Sequence, residues 1–336
     1  MAAGDDSQKT LFHPFETGEI DPPGQGQRVL YLGAEPGFRL PEGFDADLTL
    51  VQGFKPAVMK LKASRHTVLP EAEGDAYDMA LVLAGRHRGL NEGRLHDAWG
   101  RVRPGGMIVV GGSKEDGADS LKKRVAKAIE LSGSLSKYHG AAFWFQKDER
   151  PELPLPRDEG ALINNRFRTA PGMFSHDRID DGSALLALHL PADLSGAAAD
   201  FCAGWGYLSA ELLDRCPKIT SLDLFEADHA SLEAARLNLA DARVPTKFHW
   251  QDLAAEPVAH AYDAIVMNPP FHQGKAADPA IGNAMIRAAS AAMKPNGRLW
   301  MVANRGLPYE PALAAGFKQS GELLRDGKFK LLWAKR

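Results

Sequence analysis

The sequence predicts an α/β protein built from two tandem doubly wound domains, and three observations predict it. Short apolar runs of strand length alternate with stretches of helical periodicity. A strand-turn-strand pattern recurs in both halves. Between the halves, Lys147 to Gly160 is charged and carries Pro151, Pro154 and Pro156, the composition of an extended linker. The expected domains are residues 1–150 and 151–336, joined by a linker at about 147–160.

In the first half, Arg28 to Ala34 reads as a buried strand that runs into a turn with Gly33 and Gly37. Leu48 to Val51 and Ala80 to Leu83 are further apolar runs, and Met107 to Val110 follows the turn Arg103-Pro104-Gly105-Gly106. Ser120 to Leu131 sets Leu121, Val125, Ala128 and Ile129 at helical spacing, with Lys122, Lys123 and Lys127 outward. After the linker, Ala161 to Thr169 alternates as a strand. A turn at Ala170 to Ser175 then leads into a helix around Gly182 to Leu190. Strands at Ala197 to Phe201, Ile219 to Phe225, Lys247 to Trp250 and Ala264 to Met267 are spaced by helices over Tyr207 to Leu213 and Ser231 to Leu239. Such strands with helices between them imply a doubly wound parallel sheet.

The halves resemble each other. Ala76-Tyr77-Asp78-Met79-Ala80-Leu81-Val82 precedes Pro104-Gly105-Gly106-Met107-Ile108-Val109-Val110, and Ala261-Tyr262-Asp263-Ala264-Ile265-Val266 precedes Pro295-Asn296-Gly297-Arg298-Leu299. A duplicated domain accounts for this. Five positions after Asp78 stands Leu83, whereas five after Asp263 stands Asn268, so the first copy is expected to be catalytically empty.

A hydrophobic fraction of 44% and a charged fraction of 25% are those of an ordinary soluble globular protein. The acidic amino terminus is not followed by an apolar run of signal length, and no stretch approaches the ~20 apolar residues of a membrane span. A cytoplasmic protein with no membrane partner is expected. Cys202 and Cys216 offer neither a disulfide framework nor a metal-ligand cluster, so no metal is expected. A net charge of -3 argues against nucleic-acid binding over the whole surface and leaves room for a local basic patch. A monomer is the expected state, since two domains can cover each other.

The chemistry concentrates at Tyr262 to His272. A buried strand ends at Met267, and Asn268-Pro269-Pro270-Phe271 breaks it. An exocyclic amine is a poor nucleophile because its lone pair is delocalised into the ring. The Asn268 side-chain carbonyl and a backbone carbonyl at Pro269 can accept its two N–H groups and turn the lone pair towards a methyl donor. Phe271 can stack on the base, and the prolines hold the backbone rigid. Upstream, Asp200-Phe201-Cys202-Ala203-Gly204-Trp205-Gly206 lies between a strand and a helix, where glycines let a ligand approach the backbone. Glu226 ends the next strand, where an acid binds ribose hydroxyls, and Asp252 after the third can accept from an adenine amine.

These residues resemble the class I S-adenosylmethionine-dependent methyltransferases, with Asp-x-x-x-Gly-x-Gly as the cofactor loop and Asn-Pro-Pro-Phe as the amine motif. More narrowly, Pro171 to Ser175, Asp180 to Leu186, Asn268 to His272, Val302 to Asn304 with Leu307 to Tyr309, and Gly327 to Lys330 resemble the bacterial ribosomal RNA guanine-N2 methyltransferases of the small subunit and their large-subunit relatives. The resemblance covers residues 157–336 and implies two tandem Rossmann-like methyltransferase domains, the first degenerate and the second catalytic. It implies S-adenosyl-L-methionine as cofactor and ribosomal RNA or a ribosomal subunit as partner. Asp200, Gly204 and Gly206 would hold the methionine part, Glu226 the ribose and Asp252 the adenine, with Cys202, Ala203, Phe174 and Asn268 also at the cofactor. Asn268, Pro269, Pro270 and Phe271 would hold the target base. His272 is read as structural, with help in the loss of the amine proton as the alternative. Cys202 departs from the family's first loop glycine.

Arg86, His87, Arg88, Arg101, Arg103, Lys122, Lys123 and Arg124 are candidates for RNA phosphates in the first half. Arg166, Arg168, Lys328 and Lys330 are candidates in the second. Two alternatives stay open: the same amine motif also resembles enzymes acting on adenine N6 or a protein glutamine, and a non-catalytic RNA-binding or assembly protein needs no cofactor.

Overall fold

A computed structural model describes residues 3–270, 272–273, 276–277 and 279–336; Phe271 and the side chain of His272 lie outside what is described. The chain divides into two compact units, residues 1–159 and 160–336.

The first unit is one sheet of β1 (Arg28–Leu32), β2 (Asp47–Val51), β3 (Thr67–Leu69), β4 (Tyr77–Ala84), β5 (Val102–Ser113), β6 (Gly133–Lys137) and β7 (Gly140–Gln146). Their order is β3-β2-β1-β4-β5-β7-β6. The first five are parallel, and β7 and β6 close the edge antiparallel. Four helices accompany them: α1 (Ala3–Glu16), α2 (Lys55–Leu61), α3 (Arg88–Arg101) and α4 (Ala118–Val125).

The second unit opens with a hairpin of β8 (Ala161–Ile163) and β9 (Phe167–Thr169), followed by α5 (Asp181–His189). Its main sheet is built of β10 (Ser195–Phe201), β11 (Lys218–Glu226), β12 (Thr246–Trp250), β13 (Tyr262–Met267), β16 (Met293–Asn304), β17 (Gln319–Arg325) and β18 (Phe329–Lys335). The two-residue strands β14 (His272–Gln273) and β15 (Ala276–Ala277) pair only with each other. Helices α6 (Tyr207–Arg215), α7 (His229–Asn238), α8 (Pro279–Ala291) and α9 (Glu310–Gly316) complete the unit. The order β12-β11-β10-β13-β16-β18-β17 repeats that of the first sheet position for position. Both units are thus α/β with a parallel centre and an antiparallel edge. Among the described residues, no helix is long and apolar enough to cross a membrane.

Three expectations are corrected. Ala161 to Thr169 is a hairpin and not one strand: Asn164 and Asn165 take φ of 50° and 54°, and the Arg166 N–H closes the turn on the Ile163 carbonyl at 3.0 Å. The helix expected to run to Leu131 ends at Val125, where tight bonds from Lys127 to Arg124 and from Ala128 to Val125 swing Ile129 into the core. The sheets are not wholly parallel, because each ends in an antiparallel hairpin.

The repeated Tyr-Asp has a structural cause. Asp78 at the head of β4 accepts the backbone N–H of Arg28 at 2.8 Å and the Arg103 guanidinium at 2.9 Å. Asp263 at the head of β13 accepts the backbone N–H of Ala197 at 2.9 Å and the Lys294 ammonium at 2.8 Å. In each sheet one carboxylate ties the start of the neighbouring strand and a cation near the start of the next. The glycine that follows lets the backbones close: a Cβ at Gly106 would stand 2.7 Å from the Asp78 carbonyl, and one at Gly297 3.0 Å from that of Tyr262.

The Arg28 N–H, and after it the Arg103 guanidinium, holds the Asp78 carboxyl below its ordinary range. A carboxyl with a depressed folded-state value stabilises above its unfolded value, about pH 4, and ceases to do so as pH falls through the folded one. Asp78→Ala is therefore expected to cost about 1–2 kcal/mol at pH 7 in the denaturant transition of the first unit. The gap to the parent should close on acidification below about pH 4.

Candidate functional site

The loop after β10 turns sharply before α6. Cys202, Gly204 and Gly206 take φ of 62°, 54° and 88°. The turn is held by bonds from Ala203 N–H to the Phe225 carbonyl at 3.1 Å and from Gly206 N–H to the Ala203 carbonyl at 3.0 Å. Glycine accepts this left-handed backbone freely, while Cys202 carries a Cβ there at a cost of about 1–2 kcal/mol. Burial, and then the negative charge of Glu226, Asp200 and Asp252, pushes the Cys202 thiol well up, so it stays protonated.

Asp200 is fully buried at the end of β10. Its Oδ2 accepts the Ser209 hydroxyl of α6 at 2.8 Å, and its Oδ1 has no hydrogen-bond partner among the described residues. Burial, aided by Glu226, pushes its pKa up to about 7. Glu226, the last residue of β11, is clamped by three backbone N–H groups, those of Gly204, Ala227 and Asp228, each at 2.8 Å. Burial outweighs these donors and pushes it, too, up to about 7. Asp252, in the turn after β12, accepts the Ala254 N–H at 2.9 Å.

Asn268 follows β13 with its amide nitrogen directed into the protein. Its Nδ2 donates to Ser183 Oγ at 2.8 Å and to Asp180 Oδ2 at 3.1 Å. Asp180 Oδ2 also accepts the Ser183 N–H at 2.8 Å and so caps α5. An amide whose nitrogen is spent on two acceptors turns its oxygen the other way. Pro269 is buried and Pro270 exposed.

A cleft of about 390 Å³, its open mouth included, is lined by Asn268, Asp180, Cys202, Gly204, Phe174 and Tyr207 among others. Asp200, Gly206, Glu226 and Asp252 do not line it; Glu226 reaches it through the Gly204 N–H. Phe174 is 57% exposed, and its carbonyl accepts the indole N–H of buried Trp205 at 3.0 Å. Asp180, Ser183 and Trp205 fall inside stretches that sequence reasoning singled out, but it gave none of the three a role in this site. Asp180-x-x-Ser183 carries the spacing of a helix cap, but its second partner lies far away in the chain.

Sheet register identifies what the first unit has in place of these residues. Leu32 pairs with Val51 and Val82 as Phe201 pairs with Phe225 and Met267. Hence Tyr31 stands for Asp200, Gly33 for Cys202, Gln52 for Glu226 and Leu83 for Asn268. Gln52 donates to the Ala34 carbonyl at 2.8 Å, and the Arg94 guanidinium fills the space beside Gly33, 2.5 Å from where a Cβ would stand.

Several candidate RNA cations are engaged elsewhere. Lys330 is buried and bonded to Glu310 at 2.6 Å, which removes it as a surface contact. Arg166 pairs with Asp214 at 2.8 Å, Arg103 with Asp78 at 2.9 Å and Arg86 with Asp116 at 3.1 Å. Arg88 and Arg124 share Glu92 at 3.1 and 2.8 Å, Arg101 pairs with Asp97 at 3.5 Å and Lys122 with Asp119 at 3.8 Å. Arg168 is exposed, and Lys328, also exposed, pairs with Asp181 at 3.4 Å.

Residues 164–333, half of the chain, match the family model of the methyltransferase small domain. The ribosomal RNA small subunit methyltransferase C of Shewanella loihica is 28% identical over 268 residues, covering 76% of each chain. That of Erwinia tasmaniensis is 30% identical over 234 residues, covering 68% of this chain and 66% of its own. The solved structure of the T. thermophilus 16S rRNA N2 G1207 methyltransferase with AdoMet and guanosine matches with a TM-score of 0.79 at 26% identity, over 99% of this chain and 92% of that one. On the match to its family model over half of its length, the chain belongs to the methyltransferase small domain family.

Proposed function

We infer that this chain transfers a methyl group from S-adenosylmethionine to the exocyclic N2 amine of a guanine in ribosomal RNA. The orientation of the Asn268 amide carries the reading: a nitrogen committed to Asp180 and Ser183 leaves an oxygen to receive an amine. The named relatives, small-subunit methyltransferases and one that acts at a guanine N2, support guanine over adenine and over glutamine. The first unit is a degenerate copy that supports the catalytic one, the enzyme works as a cytoplasmic monomer, and its partner is ribosomal RNA.

The residues present fit the cofactor. Asp200 Oδ1, a buried acceptor without a described donor, suits a cationic amino group. Glu226 has three of about four acceptor positions filled and keeps one for a ribose hydroxyl. The cofactor supplies an electrophilic methyl on a sulfonium, so the protein needs no nucleophile of its own. Asn268 Oδ1 and the Pro269 carbonyl accept the two amine N–H groups, which fixes the amine and turns its lone pair out of the base plane. Gly204, where an added Cβ would meet nothing within 4 Å, keeps the loop backbone open to a close approach, Gly206 lets the loop pack on Ala235 of α7 and on Leu239 just after it, and Phe174 lines the cleft. A guanine in structured RNA has to be extruded to enter, and after transfer the amine loses its proton to solvent.

Tritium transfer from labelled cofactor to deproteinised ribosomal RNA and to 30S and 50S particles tests the reading. Label in N2-methylguanosine is expected; label in N6-methyladenosine would change the acceptor, and cofactor binding without any labelled RNA would bring protein substrates forward. Asn268→Ala should lower kcat roughly 100-fold or more with the cofactor Kd nearly unchanged. Ser183→Ala, which leaves the Asp180 cap in place, should lower kcat about 3- to 10-fold with the same cofactor Kd. Because Asp200 and Glu226 hold protons up to about pH 7 and bind the cofactor as carboxylates, cofactor affinity by calorimetry should fall as pH drops from 8 to 6. Asp200→Asn should flatten that profile.

A further inference from the structure

Resting on the reading above, we propose that Phe174, Arg178, Arg305 and Lys328 form a rim that grips the RNA strand beside the extruded base, the cations on phosphates and Phe174 against a base face.

Four positions from three segments gather at the carboxyl end of the second sheet. Arg178 lies between Phe174, which lines the cleft, and Asp180, which holds Asn268. Arg305 directly follows β16, the strand hydrogen-bonded to β13, whose end carries Asn268. Its backbone N–H donates to the Lys328 carbonyl at 2.8 Å, so the turn between β17 and β18 is tied to the same edge. Lys328 then reaches the first residue of α5, its Nζ lying 3.4 Å from Asp181 Oδ2. A continuous set of contacts thus runs from Arg305 through Lys328 and α5 to the amide that meets the substrate.

All four side chains face solvent. Arg178 and Arg305 are exposed and make no ion pair with any described residue, and Lys328 is 75% exposed in a pair that water weakens. The contrast is with Lys330, Arg166, Arg298 and Arg236, which are committed to Glu310, Asp214, Asp193 and Glu233. Phe174 keeps its ring in water although its carbonyl is pinned by Trp205, so the exposure is imposed by a fixed backbone. Cations beside a solvent-facing ring are what an unpaired strand requires: charge for each phosphate and a flat apolar face for a base. The local charge also reconciles a net charge of -3 with an RNA partner.

The test is binding of fluorescent ribosomal RNA by anisotropy across a salt series, with parent, Arg178→Ala/Arg305→Ala/Lys328→Ala, Phe174→Ala, and Arg236→Ala as a control for loss of charge. The triple variant is expected to bind RNA at least about tenfold more weakly, with a salt slope shallower by about 2 in log-log units, and with the cofactor Kd unchanged. Phe174→Ala should weaken RNA about tenfold. Parental affinity and slope in the triple variant, or an equal loss in the Arg236→Ala control, would overturn the rim. A Phe174→Ala variant that loses cofactor and keeps RNA would move that ring to the cofactor and overturn its part. Nucleoside analysis of the parent's product reports separately on the reaction, since binding decides the rim whichever nucleoside carries the label.

Discussion

A side-chain amide has two ends of opposite character, and the site depends on which end of Asn268 faces outward. Nothing in the residue itself decides this, because rotation by half a turn exchanges donor and acceptor at almost no intrinsic cost. Asp180 and Ser183 decide it. A flipped amide would set its oxygen against the Asp180 carboxylate and leave the Ser183 hydroxyl to do all the donating. The same Asp180 oxygen starts α5, so the helix that packs against β16 and the orientation of the Asn268 amide in the cleft are fixed by one group. Loss of that carboxylate is therefore a structural as well as a chemical event.

The second unit concentrates its costs around this point. Two carboxylates are withdrawn from water at successive strand ends, and Cys202 occupies a backbone conformation that favours glycine. At the equivalent positions of the first unit Tyr31, Gly33 and Gln52 are neutral, Gly33 takes the left-handed backbone without a Cβ, the Arg94 guanidinium occupies the space beside it, and Gln52 satisfies a loop carbonyl. What both units retain is the Asp clamp at the head of the fourth strand, which serves the sheet and not the cleft. The two copies thus separate the requirements of the fold from those of the chemistry.

Much of this was legible in the sequence. Central strands such as β13 and β4 announce themselves as apolar runs because both faces are covered, and the loop from Asp200 to Gly206 is visible through its glycines. Asn268 stands out because prolines follow it. The rest depends on distance along the chain. The partners of the Asn268 amide lie 85 and 88 residues earlier, and no local pattern reports such a pairing. The Asn164-Asn165 turn was a local signal, hidden because its flanking residues continue the alternation of a single strand. Lys330 looked like a surface cation, but only its place on β18, facing α9, brings it to Glu310.

The connector between the units is less of a spacer than its prolines imply. Leu153 is buried in the core of the first unit, Leu155 packs against that core, and the Trp99 indole donates to the Arg150 carbonyl at 3.1 Å. The stretch is a closing strap of the amino-terminal unit, and the chain becomes divisible only beyond it, near Glu159. A fragment cut at residue 150 would leave a leucine-sized gap in its core and an apolar face open to aggregation, whereas one carried to residue 159 keeps its own cover.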